Sequence, residues 1–232
     1  MRTIVLTRWQ RNAKVRPMIR KATESDIAAV AEIYAHILEN EDAAKPATGW
    51  LKGVYPVEAT ARAALGRDDL FVCVEDGRIA ASAIINKTQV DVYADCKWSL
   101  DCADDEVMVL HTLTVEPACA GHGIGRKFVA FYEDYARRNG CKALRMDTNA
   151  VNTAARSLYA KLGYTEVGIV PCVFNGIPDV MLVCMEKLLN GDANLLKMSE
   201  KDEKNIKKQA FYFVLILICI IFALEKRYIG HE

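Results

Sequence analysis

The apolar positions of this chain change period several times, and the changes mark its elements. In "TESDIAAVAEIYAHILEN" the residues Ile27, Val30, Ala31, Tyr34, Ile37 and Leu38 recur three or four apart, which predicts an amphipathic helix. Thr23 and Asp26 stand before it as a capping-box pair. "MIRKAT", just ahead, reads as a short strand. "PVEATARAALG" predicts a second helix, opened near Pro56 and stopped at Gly66. The pattern then shifts to β-type runs. "DLFVCVEDGRIAASAIINK" predicts a hairpin that turns around Glu75, Asp76 and Gly77. Residues 88–106 form a polar insertion, and "VMVLHTLTV" predicts a buried strand. The next helix places Ile124, Phe128, Phe131, Tyr132 and Tyr135 on one face and closes at Asn139 and Gly140. "CKALRMDTN" predicts another strand, and "NTAARSLYAKLG" a helix capped by Asn152 and ended by Gly163. "YTEVGIVPCVF" and "DVMLVCMEKL" close as two strands around "NGIP". The order β α α β β β α β α β β predicts an α+β fold with a strand–loop–helix–strand unit at its centre.

Outside residues 18–189 this pattern is lost. Residues 1–17 carry Arg2, Arg8, Arg11, Lys14 and Arg16 without an acid and read as a basic extension. Residues 190–209 read as a charged linker, 210–224 as an uncharged apolar segment and 225–232 as a tail. A membrane-spanning helix takes roughly 17–25 residues. The apolar segment therefore leaves three readings open: a short anchor, a segment packed on the domain or a partner, or a tail foreign to the domain.

Composition narrows the class. At 52% hydrophobic and 26% charged the chain is globular, and 30 basic residues balance 30 acidic ones. That balance gives no reason to expect nucleic acid as a partner. The 8 cysteines form no CxxC pair and no Cys/His spacing that suits zinc. Free thiols in a reducing compartment and no metal are expected. The N-terminus lacks a secretory apolar region. A cytoplasmic protein is the expectation, with membrane contact through 210–224 left open.

The chemistry gathers at "PACAGHGIGRKF", which places Gly121, Gly123 and Gly125 within five residues. A Walker A loop would need a Gly-Lys pair and a following hydroxyl, and both are missing. A dinucleotide fingerprint would read Gly123, Gly125 and Phe128, so its third glycine fails. Asp147 does fall where a ribose-binding acid would stand. The loop precedes a helix, whose first N–H groups and dipole attract anions. A tight strand-to-helix turn is the plain alternative.

Taken together, "HTLTVEPACAGHGIGRKFV" and "NTAARSLYAKLGY" resemble the GNAT superfamily of acyl-CoA-dependent N-acyltransferases, over roughly residues 18–188. The first stretch is similar to the family's coenzyme-A loop, [RQ]-x-x-G-x-[GA]. The second is similar to its N-x-x-A-x-x-L-Y-x-x-x-G-[FY] helix, matching at Asn152, Ala155, Leu158, Tyr159, Gly163 and Tyr164. One position departs: the usual Arg or Gln falls at Ala120, which leaves Arg126 or Lys127 to supply charge. The resemblance implies a mixed, mostly antiparallel sheet with a central splayed parallel pair and helices on both faces. It implies acetyl-CoA as co-substrate. The pyrophosphate would lie on Ala120, Gly121, His122, Gly123, Ile124, Gly125 and Arg126. The pantetheine arm would follow the backbone of Leu113, Thr114 and Val115, with Asn152 as a further contact. It also implies direct attack of a primary amine on the thioester, with Tyr159 giving a proton to the leaving thiolate.

The proton acceptor is less defined. His111 alternates with Val109 and titrates in a useful range, on the face where the family carries a glutamate. Glu106, a water chain, or a purely structural His111 are the alternatives. For a cationic acceptor the sequence offers Glu39, Glu41, Asp42, Trp50 and Tyr55. The insertion adds Asp91, Asp95, Asp101, Asp104, Asp105 and Glu106, with Tyr93 and Trp98. Acids beside aromatics hold ammonium groups; solvated loops are the plain reading of both segments. The expectation is a small-molecule or amino-acid-like amine. A protein N-terminus, a lysine, or a non-catalytic acyl-CoA-binding module are the alternatives, and a homodimer stays open.

Overall fold

The computed structural model describes residues 17–41, 44 and 46–189. The readings of the basic extension up to residue 16, the charged linker, the apolar segment and the tail fall outside the described residues. Strands β1 (Met18–Lys21), β2 (Leu70–Glu75), β3 (Arg78–Asn86), β4 (Val107–Val115), β5 (Ala143–Asn149), β6 (Thr165–Phe174) and β7 (Ile177–Leu188) form one sheet in the order β1-β2-β3-β4-β5-β7-β6. Helices α1 (Ile27–Glu39), α2 (Glu58–Gly66), α3 (Ile124–Arg138) and α4 (Thr153–Lys161) cover its faces. Among these strands only β4 and β5 run parallel. The element order is the one the hydrophobic pattern predicts.

Local chemistry explains the punctuation. The two hairpins turn on Asp76-Gly77 and Asn175-Gly176, all four at positive φ, as two-residue turns between twisted strands require. The Thr23–Asp26 box forms as predicted: Asp26 Oδ2 accepts from Thr23 N and from its Oγ1, both at 2.8 Å. Asp26 also accepts two bonds from Arg20, which hold its carboxyl down at about 2.

Alternation divides the core. Phe71, Ala83, Leu110, Leu144 and Val183 face α3 and α4. Val72 and Ile84 face α1 and α2. Farther along that second face, Val107, Val109, Leu182 and Cys184 lie under residues 88–106. That insertion is a cap rather than a solvated loop. Tyr93 is buried, Trp98 Nε1 donates to Tyr93 O at 2.8 Å, and the Trp98 ring lies 4.0 Å from the Arg145 guanidinium. Its acids Asp95, Asp101, Asp104 and Asp105 are exposed. Two isolated aromatics in a polar stretch carry no periodicity, so the packing was not legible.

The feature that builds a site is the short contact between β4 and β5. Their pairing runs from Val107↔Ala143 to Leu110↔Met146 and stops, although both strands continue. Tyr132 from α3 ties the paired part together, its hydroxyl lying 2.6 Å from Met108 O and 2.9 Å from Arg145 O. Beyond it the strands part. Among the described residues, no helix is long and apolar enough to cross a membrane.

Candidate active site

Just past the last β4–β5 pair, β4 contains a bulge. Ile84 pairs with His111 but Ser82 pairs with Thr114, so β4 holds one extra residue there. Thr112 takes the left-handed conformation, with φ 48°. A β-branched residue held in that region costs about 1–3 kcal/mol and persists only when its surroundings hold it. The Tyr55 hydroxyl is hydrogen-bonded to Thr112 Oγ1. The bulge also resets the alternation: Met108 and Leu110 pack toward α3, and beyond it Leu113 and Val115 do.

The gap between the parted strands is a cleft of about 460 Å³. It runs from Pro117 and Ala120, ahead of α3, past Leu113, Thr114 and Val115, to Asn152, Ala155 and Tyr159 of α4. Its far end is walled by Trp50, Tyr55 and Phe174, which meet edge to face at 5.9 and 5.5 Å. A second cleft, about 770 Å³, is lined by residues of α2, the insertion, His111 and the β6–β7 hairpin. Tyr55, Thr112, Asp147 and Phe174 line both.

The backbone requires glycine at two of the loop's three glycine positions. Gly121 and Gly123 both have φ 79°, and a Cβ on either would project into open space. Gly125 lies in the first turn of α3, where a Cβ would touch Leu158 and Val115. The first N–H groups of a helix have no partner within it, and the dipole makes that end positive. Open space before bare N–H groups, with Arg126 and Lys127 exposed beside them, fits a polyanion such as a pyrophosphate. Ala120 and His122 are exposed on the same loop.

Tyr159 and Asp147 are titratable side chains that line the first cleft beside the splay. Tyr159 is buried; desolvation, with a smaller contribution from the Asp147 charge, pushes its phenol well above its ordinary value, so it holds its proton at neutral pH. No described residue bonds its hydroxyl. Asp147 lies on β5 one residue past the last β4 pair. Its Oδ2 accepts from Tyr93 Oη at 2.7 Å. Burial raises its carboxyl to about 6, against a smaller lowering by that bond. In the sequence Asp147 stands out only as a ribose-binding acid; its place at the end of the apolar run "ALRM" is the signal that marks it for a buried role. Thr112 carries no such signal.

The other predicted residues scatter. Asn152 lines the cleft, and its Oδ1 caps α4 by accepting from Ala155 N at 3.0 Å. Thr114 is buried, with its hydroxyl 2.7 Å from Ser82 Oγ. His111 lines the second cleft, and burial lowers it to about 4, leaving a neutral imidazole. Its Nε2 lies 3.0 Å from Asn86 Oδ1. Asn86 is itself oriented, since Oδ1 accepts from Thr88 N and Nδ2 donates to Asp69. Glu106 pairs with Lys142 at the opposite end of β4, and exposed Glu39 lies 3.5 Å from Lys52; neither lines a cleft. Glu41 accepts from Thr48 N, Thr48 Oγ1 and Gly49 N, so it organises the loop over the cleft. Asp42 lies outside the described residues.

Gly49 is the tightest point of that loop. It has φ 74°, and a Cβ there would run into the Asn149 side chain. Gly49→Ala is expected to cost about 1–2 kcal/mol from the left-handed backbone alone. Thermal denaturation reads this as a lowered Tm.

Among the described residues no three His, Cys, Asp or Glu side chains gather as a metal site, and the seven described cysteines are free. The splayed parallel pair, the glycine turn and the cleft together define an N-acyltransferase class of fold. Residues 31–164 match the model of the acetyltransferase (GNAT) family, and the chain belongs to that family. It is 28% identical over 150 residues to the uncharacterized N-acetyltransferase YhfO of Bacillus subtilis, covering 64% of this chain and 89% of that one. It is 27% identical over 103 residues to the uncharacterized N-acetyltransferase MJ1207 of Methanocaldococcus jannaschii, covering 44% of this chain but only 42% of that protein. In fold it is similar to yncA of Salmonella typhimurium, solved with its cofactor acetyl-CoA: TM-score 0.57, 24% identity, 77% of this chain and 97% of that one.

Proposed function

We propose that the protein transfers an acetyl group from acetyl-CoA to the primary amine of a small, amino-acid-like molecule. The observation that carries this reading is continuity: one cleft links the loop before α3 to Tyr159 and Asp147. Acetyl-CoA supplies the activated acyl group. The N-terminus of α3 and the turn at Gly121 and Gly123 hold the pyrophosphate, while β4 beyond Thr112 lies along the pantetheine arm. Asp147, accessible from the second cleft, takes a proton from the acceptor ammonium so that neutral nitrogen attacks the carbonyl carbon. As the carbon–sulfur bond breaks, Tyr159 gives its proton to the thiolate, and the proton shed by the acylated nitrogen restores the phenol. His111, lowered to about 4, is the weaker base of the two candidates and serves as a neutral wall of the acceptor side.

A volume of about 770 Å³ lies in the range of small-ligand sites, and the second cleft mixes Asn86 and Asn175 with Val92 and Val173. Those features favour a compact amphipathic amine. Melting-point and turnover screens of primary amines with acetyl-CoA test the reading. Amine-dependent thiol release supports it, and acetyl-CoA binding without release for any amine favours the binding-module alternative.

Ala120 offers a separate test of the donor site. Ala120→Arg restores the side chain that the family loop usually carries, and is expected to tighten acetyl-CoA binding by about two- to fivefold, an exposed ion pair being worth up to ~1 kcal/mol. Added salt should shrink the gain. Calorimetric titration reads it, and loss of binding would place the anion elsewhere.

A further inference from the structure

We infer that Tyr55 is a positioning residue that holds the β4 bulge in its active geometry, an inference that rests on the function proposed above. Thr112 is the residue that most needs an external hold. It is β-branched, has φ 48°, and lies at the gap in the β3–β4 register. An unpaired bulge residue has lost its ladder partner, so the sheet does not fix it. The Tyr55 hydroxyl does so through Thr112 Oγ1. Tyr55 is in turn fixed on two sides. Its ring packs edge to face with Trp50 and Phe174, and its backbone N–H bonds to Leu51 O at 3.1 Å. The residue that braces the bulge therefore also forms the wall shared by both clefts. Strand β4 beyond Thr112 lines the donor cleft, so a slack bulge would shift the donor against Asp147 and Tyr159. Reaction geometry is sensitive to displacements of about 1 Å. An acceptor that presses on Tyr55 would set the bulge, coupling acceptor binding to donor alignment.

The test compares Tyr55→Phe, Thr112→Gly and the double variant. Phenylalanine keeps the aromatic wall and removes only the hydroxyl. Glycine takes φ 48° without strain and needs no hold. Tyr55→Phe is expected to lower kcat about tenfold, the worth of one hydrogen bond, with the acetyl-CoA Kd within about twofold of wild type. Thr112→Gly added to Tyr55→Phe should recover most of that loss. A rise in acceptor KM alone, or a double variant no better than Tyr55→Phe, would overturn the inference. Hydrogen exchange of residues 107–115 gives a readout independent of turnover. Tyr55→Phe should speed it about tenfold for the same reason. Unchanged exchange rejects the brace even if acetyl transfer is confirmed. Faster exchange in a protein that transfers nothing keeps the brace and rejects the proposed function.

Discussion

Asp147→Asn is expected to lower kcat/KM by roughly 10²–10⁴-fold, the usual worth of a positioned proton acceptor, and to raise the melting temperature at neutral pH. The two effects have one cause. Asparagine keeps the shape and can still accept the 2.7 Å bond from Tyr93, but it carries neither charge nor basicity. The carboxyl is raised from 3.8 to about 6, chiefly by burial, so the folded protein binds its proton more tightly than the unfolded chain does. The stabilisation this gives is complete below the unfolded value and fades as pH rises through about 6. Above that, a desolvated charge burdens the fold. Removing it should return roughly 1–3 kcal/mol, at about 1.4 kcal/mol per pKa unit. Wild type and variant should melt alike near pH 4 and diverge toward pH 7. The wild-type kcat/KM profile should rise with pH through about 6, and that limb should be missing from the residual activity of the variant. An active variant with an unchanged profile would move the proton acceptor away from Asp147.

Tyr159→Phe is expected to cut kcat by roughly 10²–10³-fold, within the range for general-acid catalysis. Its side chain lies among the core residues of α3 and α4, and the ring survives the substitution. The hydroxyl has no described partner, so its removal leaves no buried group unpaired and should change stability by less than about 1 kcal/mol. Acetyl-CoA affinity should stay within about twofold. Full turnover in this variant would mean that the thiolate leaves unprotonated or takes its proton from water. Weak binding together with weak turnover would make Tyr159 a packing residue.

Much of this fold was readable because its elements carry strong periods. The stripe of α3, the two positive-φ turns and the Asn152 cap are local signals, and each forms where the pattern places it. The turn before α3 was legible for the same reason, since glycines before a helix report backbone geometry directly. The sites that escaped are those made by distance along the chain. Alternation along "VMVLHTLTV" reads straight through Thr112, because the bulge is imposed by pairing with β3 and by Tyr55, 57 residues away. Asp147 acquires its character from Tyr93 in the insertion and from the burial that the cap provides. Glu106 looked equally well placed at the start of β4, yet that end is closed by Lys142 and lies far from the splay. Which end of a strand faces the gap depends on where the parallel pairing stops, and that is a property of two strands together.

We propose that a single cleft both holds an acyl donor and transfers its acyl group to an amine. Thiol release from acetyl-CoA, measured over a panel of small primary amines with wild type and Tyr159→Phe side by side, tests it most directly. The expected result is amine-dependent release by wild type and a loss of roughly 10²-fold or more in a variant that still binds acetyl-CoA. Saturable acetyl-CoA binding by wild type, with no amine raising release above the blank, would contradict it.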